Sequence, residues 1–261
     1  SAVITAALDA ARLSGAALDA ARLSGAALER LSGEYAIDIM IRRVRRTVGV
    51  DLVACAIPHG EREDALAEAA LDAGALVTRH AAGAALAGVA GAAREAGAQR
   101  LLHVAGIQVF FDPVIAGGVL ALLADSGAQI ATNAAPALFP DGLDCDAAAA
   151  ALYAAQAPAS PATRLMDAAP GARLANLRGP GGGLERLRWR LEHDADLAFA
   201  RAIHAALGPQ ACTAGAAEIA GLCLRRPDLV AINTALVDQI RFKNGDRGAL
   251  QTAPVSLLNA A

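Results

Sequence analysis

The part of the chain with the strongest claim on chemistry is a duplication. Residues 6–15 read AALDAARLSG, residues 16–25 repeat those letters, and a shortened copy, AALERLSG, fills 26–33. It follows a short apolar start, VIT at 3–5. An early glycine-rich turn in that place is suited to wrapping phosphate with its backbone N–H groups. Gly15 and Gly25 would supply the turn, and Arg12 and Arg22 are the only cations of the two full copies. Either arginine reaches a phosphate or lies on a helix surface; the residue types allow both. Each copy strings together good helix formers and stops at Ser-Gly. The pattern therefore predicts short helices that narrow an open phosphate loop.

The remaining candidates are scattered. His59 follows Pro58 between a strand and a helix, at the carboxyl edge where open α/β sheets take ligands. His103 sits mid-strand and reads as a core or pocket-wall histidine. His80, His193 and His204 share no ligand spacing, and no Ser/His/Asp or Cys/His arrangement stands out. The cysteines at 55, 145, 212 and 223 form no CxxC pair. That pattern predicts no metal cluster and fits a reducing, cytoplasmic compartment, with Cys55 in the core.

The elements that must position these residues alternate. DLVACAI at 51–57, ALVTR at 75–79, QRLLHVAG at 99–106 and QIATN at 129–133 read as strands. Between them lie helical runs over 61–74 and 81–97, and a third opened by Asp112-Pro113 and ending near Ser126-Gly127. Acids at the front of the first run suit its dipole, and glycines close the runs. Short apolar strands alternating with helices predict an α/β fold: three layers, with a mixed, mostly parallel sheet of about seven strands covered on both faces. After 133 the rhythm changes. FPDGLD at 139–144 reads as a turn, 148–156 and 163–169 as short helices, and 172–178 and 184–192 as strands. Leu187, Trp189 and Leu191 alternate with Arg188, Arg190 and Glu192, which predicts a half-exposed strand. A helix over 194–207, capped by Asp194, follows.

Composition excludes several classes. The chain has 261 residues, 55% hydrophobic and 19% charged, which is globular rather than disordered. A net charge of -3 and 3% aromatics leave neither a basic patch nor a stacking platform for nucleic acid. The one basic run, IRRVRR at 41–46, reads as the solvated face of a helix. The sequence carries no apolar stretch suited to a signal peptide or membrane span.

In order and spacing, several segments resemble the sugar-nucleotide cytidylyltransferases, specifically the spore-coat polysaccharide biosynthesis and acylneuraminate cytidylyltransferase group. They are RLSGAALERLSG with IDIMIRRVRR (22–46), RLLHVAGIQVFFDP (100–113), FPDGLD (139–144), ASPATR (159–164), RLANLRG (173–179) and LRWRLEHDADLAFARAI (187–203). The resemblance implies a nucleotide-diphospho-sugar transferase type α/β/α sandwich and transfer of CMP from CTP to an acidic or acylated sugar. It also implies Mg2+ as cofactor and an arm that builds a homodimer. Asp141 and Asp144 either orient the sugar or hold a turn. The chain departs from the family where chemistry is done. Ala7 or Ala17 stands at the loop arginine, Ala16 or Ala26 at the lysine, Ile107 at a metal aspartate and Met166 at a histidine. Of the metal carboxylates only Glu192 remains. Alanine cannot offset charge on a transferring phosphate, and one carboxylate is a weak magnesium site.

Three segments are expected: a nucleotide-binding half (1–134), a lid or dimerisation arm (135–182), and a closing part of the core (183–261). Two functions are expected of them. One is the CTP-dependent transferase with a small acidic sugar as partner. The other is a catalytically inactive relative that binds sugar or nucleotide, or serves assembly.

Overall fold

The apolar runs become strands because both of their faces are covered. The computed structural model describes residues 2–5, 25–157 and 164–237. In chain order the elements are β1 (Ala2–Thr5), β2 (Arg30–Leu31), β3 (Glu34–Tyr35), α1 (Ala36–Arg45), β4 (Val53–Pro58), α2 (Glu61–Asp72), β5 (Leu76–His80), α3 (Ala85–Glu95), β6 (Arg100–Ala105), α4 (Pro113–Asp125), β7 (Ile130–Thr132), β8 (Asp146–Ala149), α5 (Ala150–Gln156), α6 (Leu165–Ala168), β9 (Leu174–Asn176), α7 (Asp194–Leu207), α8 (Ala216–Arg225) and α9 (Pro227–Val230). The main sheet has seven strands in the order β5-β4-β1-β6-β8-β7-β9, and β2 and β3 form a separate antiparallel pair. All neighbours in the main sheet are parallel except at β8, which runs against both β6 and β7.

Alternation along the strands sorts the core into two halves. Val53, Cys55 and Ile57 of β4 and Leu102 and Val104 of β6 pack with α1, α2, α4, α7 and α8. Ala54 and Ala56 of β4 and Leu101 of β6 pack with α3 and with Tyr153 of α5 and Leu165 of α6. Helices therefore cover both faces, and the architecture is a three-layer α/β/α sandwich. Helix α4 begins where Asp112 and Pro113 say it should. One Asp112 carboxylate oxygen accepts the N–H groups of Val114 (2.8 Å) and Ile115 (3.1 Å). Its other oxygen accepts the N–H of Ala216 (2.6 Å), so the same side chain also caps α8.

Four local expectations need correcting. The helix expected over 148–156 begins only at Ala150, because Ala148 and Ala149 end strand β8, inside the sheet and inside the segment read as an arm. The stretch 184–192 is a short 3-10 turn (Leu184–Arg186) followed by extended chain with a single bridge from Asp141 to Arg188. Leu187, Trp189 and Leu191 do point inward, but Arg188 is buried as well. Arg43 of the basic run is also buried, because its guanidinium donates to the carbonyls of Phe111 (3.2 Å), Ala214 (2.9 Å) and Ala211 (2.9 Å). Finally, His193 and not Asp194 holds the N-cap position of α7.

Candidate functional site

The antiparallel β8 brings its first residue to the edge where the parallel strands end. His103 of β6 stands opposite Asp146 of β8, and Asp146 stands opposite Thr132 of β7. All three side chains are buried. The Thr132 hydroxyl donates to Asp146 Oδ1 (2.6 Å), and Arg164, just before α6, pairs with both Asp146 oxygens (2.5 and 3.1 Å). Burial pushes the Asp146 carboxyl up, but Arg164 and Thr132 more than offset this and hold it below its ordinary value. His103 packs edge-to-face on Tyr153, with ring centroids 5.9 Å apart. Burial pushes its imidazole down to about 4, so the ring is neutral at pH 7.

A second cluster forms where the 139–144 loop lies against 187–192. Gly142 makes the approach possible: its φ is +108°, and a Cβ there would sit 2.6 Å from the carbonyl carbon of Trp189. Arg188 then reaches three acids. It donates to Asp141 Oδ2 (3.0 Å), Glu192 Oε2 (2.8 Å) and both Asp196 oxygens (2.8 and 2.9 Å). Asn233 closes the far side, donating to Asp196 Oδ1 and the Arg188 carbonyl (both 3.0 Å). Arg190 pairs with Glu192 Oε1 (3.0 Å) and lies 3.5 Å from Asp141 Oδ1. Burial pushes the Glu192 carboxyl up, yet Arg190 and Arg188 bring it below its ordinary value. The cluster is tied to the end of β6. Leu191 N–H donates to the Ile107 carbonyl (3.0 Å), and Gln108 Nε2 bridges the carbonyls of Ala105 (3.1 Å) and Asp144 (2.9 Å).

The structure thus brings the 139–144 loop with Asp141 against Glu192, while His103 belongs to the first cluster, with Asp146 and Tyr153. His59 lies at the end of β4, exposed, with its N–H on the His80 carbonyl (2.8 Å). Gly25 is exposed and opens a helical turn over residues 25–27. Arg12, Arg22 and Gly15 lie outside the described residues, as do both full copies of the duplication apart from Gly25. Ile107 is buried in the core. The sequence reading missed Arg188 and Arg190 as partners of Asp141 and Glu192, and Asp146 and Arg164 as a pair. Their one signal is compositional: two arginines inside an otherwise apolar string, and an aspartate opening an alanine run. Two shallow depressions, of about 340 and 530 Å3, lie at the opposite edge, around Gln129, Arg100 and Ala149, away from all of these residues.

The donors present do not fit a divalent ion. Each oxygen of Glu192 is paired with an arginine, and so is each oxygen of Asp141. Among the described residues no group of three His, Cys, Asp or Glu side chains is arranged to hold a metal. No helix among them is long and apolar enough to cross a membrane.

A cytidylyltransferase from Leptospira borgpetersenii superposes with a TM-score of 0.72 at 13% identity, over 79% of this chain and 90% of that one. This chain shares the fold of that structure, an α/β/α sandwich around a mixed sheet. CMP:2-keto-3-deoxy-manno-octonic acid synthetase, solved in complex with CTP, shares that fold at a TM-score of 0.50 and 17% identity, over 78% of this chain and 97% of that one. A Mycobacterium tuberculosis protein solved with manganese shares it at 0.52 and 14%, over 76% and 95%. No family model matches the chain, and no curated protein matches it.

Proposed function

We propose that this protein is a cytidylyltransferase-like protein that binds CTP at the carboxyl edge of its parallel strands. One observation carries the reading: the seven-stranded sheet, with its one antiparallel strand and helices on both faces, superposes on a cytidylyltransferase over 79% of the chain. A relative of the same fold was solved with CTP. On this reading His59, Asp141 and Asp144 border the ligand, and His103 stands behind it as a neutral wall. Arg12, Arg22, Gly15 and Gly25 belong to the phosphate loop after β1. The acceptor is a small acidic or acylated sugar, and residues 135–182 contribute the surface of a homodimer.

A specific observation favours binding without transfer. Nucleotidyl transfer depends on cations placed around the reacting phosphate. Here the loop has alanine at the lysine position, Ile107 is buried apolar, and Glu192 is paired with arginines. Calorimetric titration with CTP, followed by a pyrophosphate-release assay with acidic sugars, tests both levels. The expected result is CTP binding, with release slowed by about 100- to 1000-fold relative to a complete cytidylyltransferase. Absence of CTP binding would overturn the reading altogether; ordinary turnover would overturn the inactive form of it.

A further inference from the structure

Arg190 occupies an unusual position for a charged side chain. It projects from the extended 187–192 segment at the end of β6, and its side chain is 20% exposed. On one side it meets Glu192 Oε1 at 3.0 Å and on the other Asp141 Oδ1 at 3.5 Å. The charge of Asp144 acts on it as well. Although burial alone pushes the guanidinium down, Glu192, Asp141 and Asp144 together push it up. Two carboxylates from two chain segments, Asp141 and Glu192, thus converge on one cation.

Counting charges shows what that cation does. Arg188 and Arg190 contribute two positive charges, and Asp141, Glu192 and Asp196 contribute three negative ones. Without Arg190, one oxygen of Asp141 and one of Glu192 would lose their partner, while their other oxygens stay on Arg188. Two unpaired carboxylate oxygens at a position water reaches are what a hard divalent cation binds.

We infer that Arg190 is a built-in cation that takes the place of a divalent ion between Asp141 and Glu192, so that the carboxylate oxygens facing it already have a partner and need no metal. The inference goes beyond the nucleotide-binding reading and does not depend on it, because it concerns the metal alone. The ammonium of a lysine would serve as a weaker substitute, since it keeps the charge but lacks the planar fork that reaches two carboxylates.

The test is Mn2+ binding without nucleotide, followed by the loss of the free-ion electron paramagnetic resonance signal. Wild type, Arg190→Ala and Arg190→Lys are compared at the same ionic strength. Wild type and Arg190→Lys are expected to leave the free-ion signal unchanged at Mn2+ concentrations where Arg190→Ala depletes it. The gain in affinity for Arg190→Ala is expected to be at least about tenfold, or about 1.4 kcal/mol. Arg190→Gln, which fills more of the space without charge, replaces Arg190→Ala if circular dichroism shows that variant unfolded. Wild type binding Mn2+ as tightly as the neutral variants would overturn the inference. A folded neutral variant with no gain would overturn it too, as would Arg190→Lys binding like Arg190→Ala.

Discussion

Replacing Arg188 by methionine keeps most of the side-chain length and removes the charge on which three acids depend. The guanidinium is buried, and it pairs with Asp141 (3.0 Å), Glu192 (2.8 Å) and Asp196 (2.8 Å). In Arg188→Met those carboxylates are left with Arg190, the Asn233 amide and, on Asp196, the N–H groups of Glu192 and His193. Removing one partner of a buried ion pair costs about 3–5 kcal/mol, against a total stability of roughly 5–15 kcal/mol for a domain. The loss also carries a pH signature. Stranded carboxylates titrate above their unfolded values, so the folded variant takes up protons before the unfolded chain does, and acidification restores stability to it. Urea unfolding of both proteins at pH 7.5 and pH 5 isolates this term, because histidine titration is common to both and cancels in the difference. The deficit should be about 3–5 kcal/mol at pH 7.5 and smaller by at least about 1 kcal/mol at pH 5. A deficit equal at the two pH values would refute the electrostatic account and leave lost packing as the cause.

Wild-type stability should fall on acidification well before the carboxylates titrate. Burial holds His103 and His204 down at about 4, so the unfolded chain protonates first. Stability is complete above about pH 6.5 and is lost as the pH falls towards 4, by up to about 3 kcal/mol per histidine. A urea midpoint that does not move between pH 7 and pH 5 would contradict this. Asp112→Ala should cost about 2 kcal/mol, about 1 kcal/mol for each of the two helix ends it caps, and Asp112→Asn should recover part of that loss. Thermal melts of the three proteins are the check, and an unshifted midpoint in the alanine variant would remove the double-cap assignment.

The strands and helices from 51 to 133 were legible because branched apolar runs and glycine stops leave one regular solution. Strand β8 was not, since Asp146–Ala149 is mostly alanine, the best helix former. The slot between β6 and β7 decides its conformation, and no local signal announces that slot. The same holds for Arg43, whose carbonyl partners lie 68 to 171 residues away in sequence. At the candidate site, Asp141 and Glu192 were visible by type and place. Alternation along a strand reports only one covered face and so sends the arginines between them to solvent. The second cover here is the 139–144 loop, which arrives from about fifty residues upstream and depends on Gly142 to fit.

Strand β1 has only four residues, yet it joins the two halves of the sheet, pairing with β4 on one side and β6 on the other. Its partners lie about fifty and one hundred residues later in the chain, so closing this seam costs loop entropy that no nearby contact repays. A chain growing from its amino end at roughly 5–20 residues per second must leave the β6 side of these residues unpaired for about 5–20 s before β6 exists. During that interval the edge of β1 that β6 will cover stays open. Open edges of this kind recruit other chains. The strand order therefore puts a long-range pairing at the centre of the sheet, which slows folding.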